Sequence, residues 1–146
     1  MRFEGVVDIQ APRDRVWDFL SDPTKVGPCG PGVESIEVVD ETHFKATAKV
    51  GIGFISARFV TNVEMVDLVP PDRASIKAHG QAPGSAVDAI ATVLLSDRAA
   101  GGTRLDWNAE VSIAGTLASV GARLIEGTAN KMIGQTFDCI GRNLEA

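Results

Sequence analysis

The 146-residue sequence predicts an α+β fold, in which a curved seven-stranded antiparallel sheet wraps a long C-terminal helix and two short helices follow the first strand. Three observations predict it. Alternation of apolar and polar residues with period two recurs over most of the chain, as in half-buried antiparallel strands. The connections between these stretches are short and turn-like, which implies a meander of hairpins. From about Thr116 the pattern changes to a helical period and keeps it to Leu144. Together these make a helix-grip architecture, whose gap between sheet and helix becomes a pocket. Residues 1–146 read as a single domain, without repeats or low-complexity tracts.

The first strand runs from Arg2 to Gln10, with Phe3, Gly5, Val7 and Ile9 facing inward. Pro12 suits the first helical position. The helix after it carries Val16, Trp17, Phe19 and Leu20 on an apolar stripe, and Asp14 suits its positive N-terminal end. Ser21-Asp22-Pro23 interrupts it, and a short turn runs on to Val26. Gly27-Pro28-Cys29-Gly30-Pro31-Gly32 must be a loop. Further strands span Ser35–Asp40, His43–Val50, Ile55–Val69, Arg73–Gln81, Ser85–Ser96 and Thr103–Ala114. Gly51-Ile52-Gly53 reads as a bend or bulge. The final helix, Thr116–Leu144, bears a stripe of Leu117, Val120, Leu124, Thr128, Met132, Phe137, Ile140 and Leu144. Gly121, Gly127, Gly134 and Gly141 lie within it, each costing about 1 kcal/mol against Ala. Close approach to the sheet or to a ligand is the expected reason.

The inner strand faces are unusually small. Ala46, Ala48 and Val50 follow Phe44 on one strand, and Ala74, Ile76, Ala78 and Gly80 form the face of another. Leu105, Trp107, Ala109, Val111 and Ile113 face inward from the last strand. Interiors are filled to crystal-like density, so a sheet lined with alanines either draws its helix very close or leaves a hollow. The expectation here is a hollow that holds an apolar molecule. Parity places Ala48, Phe59, Val63, Ala78, Ala91, Val93, Trp107, Ala109 and Val111 on its sheet wall, with Ala46, Ile76 and Ala89 beside them. Leu117, Val120, Gly121, Leu124, Thr128 and Met132 form its helix wall. Cys29, Pro31, Gly32 and Phe54 bound its mouth. The competing expectation is an ordinary core in which Trp107, Phe59 and Met132 fill the gap. The stretch Ile52-Gly53-Phe54-Ile55, if a hairpin tip, either dips into a membrane or partner or is covered by the Cys29 loop.

Composition excludes several functions. The net charge is -5 and no run of Lys or Arg occurs, so phosphate-driven nucleic-acid binding is not expected. No apolar run approaches the roughly 20 residues of a bilayer span. Met1-Arg2-Phe3-Glu4 lacks a signal-peptide pattern, giving a cytoplasmic expectation. In that compartment Cys29 and Cys139 are expected as free thiols. His43 falls at a turn and His79 on an outer strand face, neither with a partner at metal-ligand spacing. A catalytic role for Cys29 is not supported, because the loop has no basic residue after Lys25 to lower its pKa. Asp106 and Glu110 share the solvated face of their strand. Asp67 is the one acid whose parity, with Phe59, Val63 and Met65, points inward. The sequence has no tyrosine. This shortage of inward polar groups favours binding over catalysis, so no catalytic residue and no metal ligand is assigned.

Nearly the whole chain resembles the SRPBCC/START-like superfamily and, within it, the carbon monoxide dehydrogenase CoxG-like family. The stretch Ile9-Gln10-Ala11-Pro12-Arg13-Asp14-Arg15-Val16-Trp17-Asp18-Phe19-Leu20-Ser21-Asp22-Pro23 carries the resemblance. So do Pro31-Gly32-Val33-Glu34, Lys49-Val50-Gly51-Ile52-Gly53, Gly102-Thr103-Arg104-Leu105-Asp106-Trp107 and Leu124-Ile125-Glu126-Gly127-Thr128-Ala129-Asn130-Lys131. The resemblance implies the helix-grip (START/Bet v 1-like) fold. It also implies a non-enzymatic binder or carrier of a quinone or lipid, accessory to a molybdenum hydroxylase of the carbon monoxide dehydrogenase type and to that enzyme's membrane association. No cofactor is required beyond a bound quinone or lipid. Some members carry a C-terminal tail; with the sequence ending at Ala146, transient contact at the inner face of the plasma membrane is expected rather than stable anchoring. Two alternatives stand beside this reading: an assembly factor that binds protein and no ligand, and a START-like cyclase or hydrolase.

Overall fold

The computed structural model describes residues 1–145. Its seven strands are β1 (Arg2–Ile9), β2 (Val33–Val38), β3 (His43–Ile52), β4 (Ile55–Val69), β5 (Arg73–Ala82), β6 (Ser85–Asp97) and β7 (Thr103–Gly115). They form one antiparallel sheet in the order β1-β7-β6-β5-β4-β3-β2. Strands β2 to β7 are thus a continuous meander, and β1 closes on β7. Helices α1 (Arg13–Leu20) and α2 (Pro23–Val26) follow β1, and α3 (Ala122–Glu145) ends the chain. The helix grip expected from the sequence is the fold observed.

Local chemistry explains most boundaries. Pro12 is extended and caps α1 from outside, so the helix begins at Arg13 rather than at the proline. Asp22 caps α2 by accepting from the Thr24 N–H at 2.9 Å. Together with the Thr24 hydroxyl, which also donates to it, this holds the Asp22 carboxyl below the usual carboxylate range. The expected bend at Gly51-Ile52-Gly53 is instead a tight hairpin: β3 continues to Ile52, which pairs with Ile55 across Gly53-Phe54. Gly5 has a packing reason. The Trp107 indole lies across it from the neighbouring strand, and a Cβ there would sit 2.9 Å from Nε1.

Helix α3 differs from the expectation in start and phase. Thr116–Val120 is a 3-10 turn, and Gly121 follows at φ 97°, a left-handed region that L side chains avoid. The helix therefore starts at Ala122 and spans 24 residues, about 36 Å. Its inward stripe is Ile125, Thr128, Ala129, Met132, Ile133, Thr136, Phe137 and Ile140. Close approach does not explain its glycines. A Cβ at Gly127 or Gly134 would meet nothing within 4 Å, and at Gly141 only Glu145 Oε1 at 3.4 Å.

The packed core divides in two. The larger part joins Ile9, Ala11, Val16, Cys29, Leu95, Leu105, Ile140 and Leu144, where α1 and the end of α3 meet β1, β6 and β7. Thr103, fully buried there, donates to the Ala11 carbonyl at 2.7 Å. The smaller part joins Ile52, Phe59 and Leu117 beneath the β3–β4 hairpin.

One covalent link corrects the sequence reading. Cys29 and Cys139 are not free thiols; they form a disulfide across 110 residues, with Cα atoms 5.4 Å apart. The 3-10 turn Gly27–Cys29 is carried against α3, which brings the two within bridging distance. Neighbours along the sequence give no sign of that meeting.

Candidate functional site: an apolar cavity under the sheet

Between sheet and α3 lies a cavity of about 630 Å³, within the usual range for small-molecule sites. Its floor is alanine-rich: Ala46 and Ala48 on β3, Ala74 and Ala78 on β5, Ala89 and Ala91 on β6, and Ala109 on β7. These residues are neighbours across the strands, since Ala78 pairs with Ala89 and Ala91 with Ala109. Their methyl groups are too short to span the gap to α3. Phe59, Met65, Trp107 and Phe137 project from the walls, with the Trp107 and Phe137 rings 5.7 Å apart, yet they leave the space open.

Among the described residues, the lining contains no Asp, Glu, Lys, Arg or His. Its polar side chains are Ser21, Thr61, Thr128, Thr136 and the two tryptophans. The Ser21 and Thr136 hydroxyls donate back to Trp17 and Met132 carbonyls at 2.7 and 2.8 Å, as hydroxyls one helical turn on commonly do. The cavity thus offers a dry apolar surface with a few weak hydrogen-bonding groups. General acid–base chemistry needs a titratable group within reach of the reacting atom, and the wall side chains supply none.

Most of the residues assigned from parity border this space. Ala48, Phe59, Ala78, Ala91, Val93, Trp107, Ala109, Val111, Leu117, Thr128, Met132 and Pro31 line it. Val63, Val120, Gly121, Leu124, Cys29, Gly32 and Phe54 do not. Parity selects a side of the sheet and not the reach of a side chain; Val63 borders a depression with His43 and His79 instead. Val120 packs into the smaller core, and Leu124 is 43% exposed, because the break at Gly121 resets the helical phase. Cys29 is held in the disulfide. Phe54 stands outside at 85% exposure, so neither it nor the hairpin tip is covered by the Cys29 loop.

Asp67 is also reassigned. The β4–β5 register shifts between Val66 and Val69, and Asp67 there has φ 51°. This bulge shifts the parity by one. Asp67 is exposed and Leu68 lines the cavity. The residues missed by sequence reasoning include Ile125, Ala129, Ile133 and Phe137 on α3, and Trp17, Leu20 and Val26 from the segment after β1. The three- and four-residue spacing of the α3 set, read backwards from Ile140, is the signal that finds them.

The titratable groups with resolved shifts lie outside the cavity. Arg58 donates to Glu34 through Nε and Nη2 at 2.5 and 3.1 Å, which holds the Glu34 carboxyl low and raises the guanidinium. The Thr42 backbone N–H, then His43, lower Asp40, and Asp106 raises Arg104. On the other side of the sheet His79 Nδ1 meets Asp88 at 2.5 Å beside an open depression of about 740 Å³. Among the described residues no group of three or more metal-ligating side chains occurs.

Residues 5–145 match the family of the carbon monoxide dehydrogenase G subunit, CoxG. The chain belongs to that family. No curated protein matches this CoxG-family chain. Solved structures similar to it include a conserved protein from Geobacillus kaustophilus, 23% identical, with a TM-score of 0.92 over 99% of this chain and 95% of that one. An aromatase/cyclase from a Streptomyces species is 15% identical, with a TM-score of 0.73 over 99% and 93%. A protein from Thermus thermophilus is 14% identical, with a TM-score of 0.73 over 99% and 97%. At these identities the likeness establishes the helix-grip fold and leaves function to the site.

Proposed function

We propose that this CoxG-family protein is a non-catalytic carrier of a neutral lipophilic molecule of the quinone or lipid class. The observation that carries the reading is a cavity of about 630 Å³ without one ionisable side chain in its lining. Enclosing an apolar ligand there gains about 25 cal/mol per Å² removed from water. The same walls disfavour a buried carboxylate or ammonium, which would lack a partner. A cyclase or hydrolase on this fold would need an acid or base facing the ligand. The family description supports a place beside a molybdenum hydroxylase of the carbon monoxide dehydrogenase type, with the carrier exchanging its ligand between that enzyme and a bilayer.

One end of the molecule suits brief contact with a bilayer. The β3–β4 hairpin, the β5–β6 turn and the segment from β7 into α3 meet there: Thr116 N–H donates to the Gly84 carbonyl at 2.9 Å, and Gly53 abuts Leu124. Residues 51–57, 82–86 and 114–125 contain no carboxylate and a single charge, Arg123, in a chain with 19 acids. Phe54 and Leu124 are exposed on this end, while Ile52, Leu117 and Ile125 from the same elements line the cavity. No helix among the described residues is long and apolar enough to cross a membrane.

Both tryptophans of the chain, Trp17 and Trp107, line the cavity, so intrinsic fluorescence reports its occupancy. Titration with decylubiquinone should quench that fluorescence saturably at one equivalent. Absence of saturable quenching by the quinone, together with no uptake of a neutral lipid, contradicts the carrier reading and favours an assembly factor.

A further inference from the structure

The disulfide joins two walls of the cavity. On one side, Cys29 ends the turn that leads into the loop, and Val26, Gly30, Pro31 and Val33 around it line the cavity. On the other, Cys139 lies in α3 between Phe137 and Ile140, which also line it. The Asn143 amide donates to the Cys139 carbonyl at 2.8 Å and lies 3.5 and 3.8 Å from the sulfurs of Cys139 and Cys29.

Little else fastens this loop. The Gly30 and Val33 N–H groups donate to Gly27 and Gly30 carbonyls, within the loop itself. Its backbone tie to the sheet is Lys49 N–H to the Gly32 carbonyl at 2.9 Å. Three glycines and two prolines in Gly27–Gly32 leave few side chains to anchor it. The covalent bond is therefore the principal restraint between loop and helix. Cys29 is 5% exposed, whereas Cys139 is only partly buried, so the sulfur open to attack is that of Cys139.

We infer that the Cys29–Cys139 bond is a redox-operated clamp on the cavity, an inference that rests on the carrier reading above. Oxidised, it pins the loop to α3 and retains the ligand. A dithiol reductant opens it by exchange. One thiolate attacks Cys139 Sγ, the Cys29 thiolate leaves and takes a proton, and the reductant's second thiol displaces Cys139. Two protein thiols and one reductant disulfide result. The freed loop swings, and ligand enters and leaves faster.

The test uses the full chain loaded with Nile red, a neutral apolar dye. Dissociation into excess lipid vesicles is followed by stopped flow, before and after reduction with dithiothreitol, with thiols counted by mass spectrometry. Reduction should raise the dissociation rate about tenfold or more with a smaller change in affinity, because a freed lid speeds entry and exit together. Hydrogen exchange at Gly27, Cys29, Gly30 and Gly32 should quicken while β6 and β7 stay protected. Cys139→Ser should behave as the reduced protein does. Equal dissociation rates in the two forms overturn the clamp while dye binding upholds the carrier. Free thiols in protein purified without reductant also overturn it. So does global unfolding on reduction, which would make the bond a structural staple. A dye that binds neither form removes the carrier reading and the clamp with it.

Discussion

Ala109 stands in β7 between Phe3 of β1 and Ala91 of β6, with its methyl group on the cavity wall. Replacing it with Trp sends an indole into the space between sheet and α3. A Trp side chain buries about 150–250 Å², and roughly half of that, about 100 Å², is surface a ligand would otherwise cover. At about 25 cal/mol per Å² the loss is about 2.5 kcal/mol, which is roughly a 60-fold rise in Kd. Stability should move little, because the indole enters empty space. In a filled core the same insertion costs about 1–3 kcal/mol, a fall of about 3–12 °C in Tm for a domain of this size. Nile red titration gives the first quantity and scanning calorimetry the second. Unchanged dye affinity, or a Tm loss in that range with binding intact, would refute the reasoning.

Other perturbations address separate parts of the account. Thr103→Val keeps the shape but leaves the Ala11 carbonyl without its buried donor, so urea denaturation should show a loss of about 1–3 kcal/mol. Phe54→Asp puts a charge on the acid-free end; cosedimentation with phosphatidylglycerol vesicles should fall while dye affinity stays the same. Glu34 has a depressed pKa through its hydrogen bonds from Arg58. Its stabilising effect is present above its ordinary value of 4.5 and is lost as pH falls through the lower folded value. Glu34→Gln should therefore flatten the acid-side fall of Tm below that pH, and an unaltered profile would show the pair to be idle.

How far each element was legible follows from the range of its cause. The strands alternate because one face of the sheet meets α3 and the other meets water, and that contrast is written residue by residue from Thr103 to Ile113. The alanine floor was legible for the same reason. The phase of α3 was not, because apolar Leu117 and Val120 extend a helical spacing across a 3-10 turn and a left-handed Gly121. Leu124, on that false stripe, faces outward beside Gly53. Asp67 was misplaced by one bulged residue, whose effect on parity a strict alternation cannot register. The disulfide depends on tertiary packing across 110 residues, and an expectation drawn from compartment alone pointed the other way. Trp17 and Leu20 were legible as an apolar stripe, but their share in the cavity depends on how α1 closes over its end.

The most direct test of a neutral-lipophile carrier is mass spectrometry of an organic extract from protein purified without detergent, compared with Ala109→Trp prepared alongside. A single apolar species, near one equivalent in the unmodified protein and depleted in the variant, is the predicted result. A clean extract, with neither quinone nor neutral lipid taken up afterwards, contradicts it.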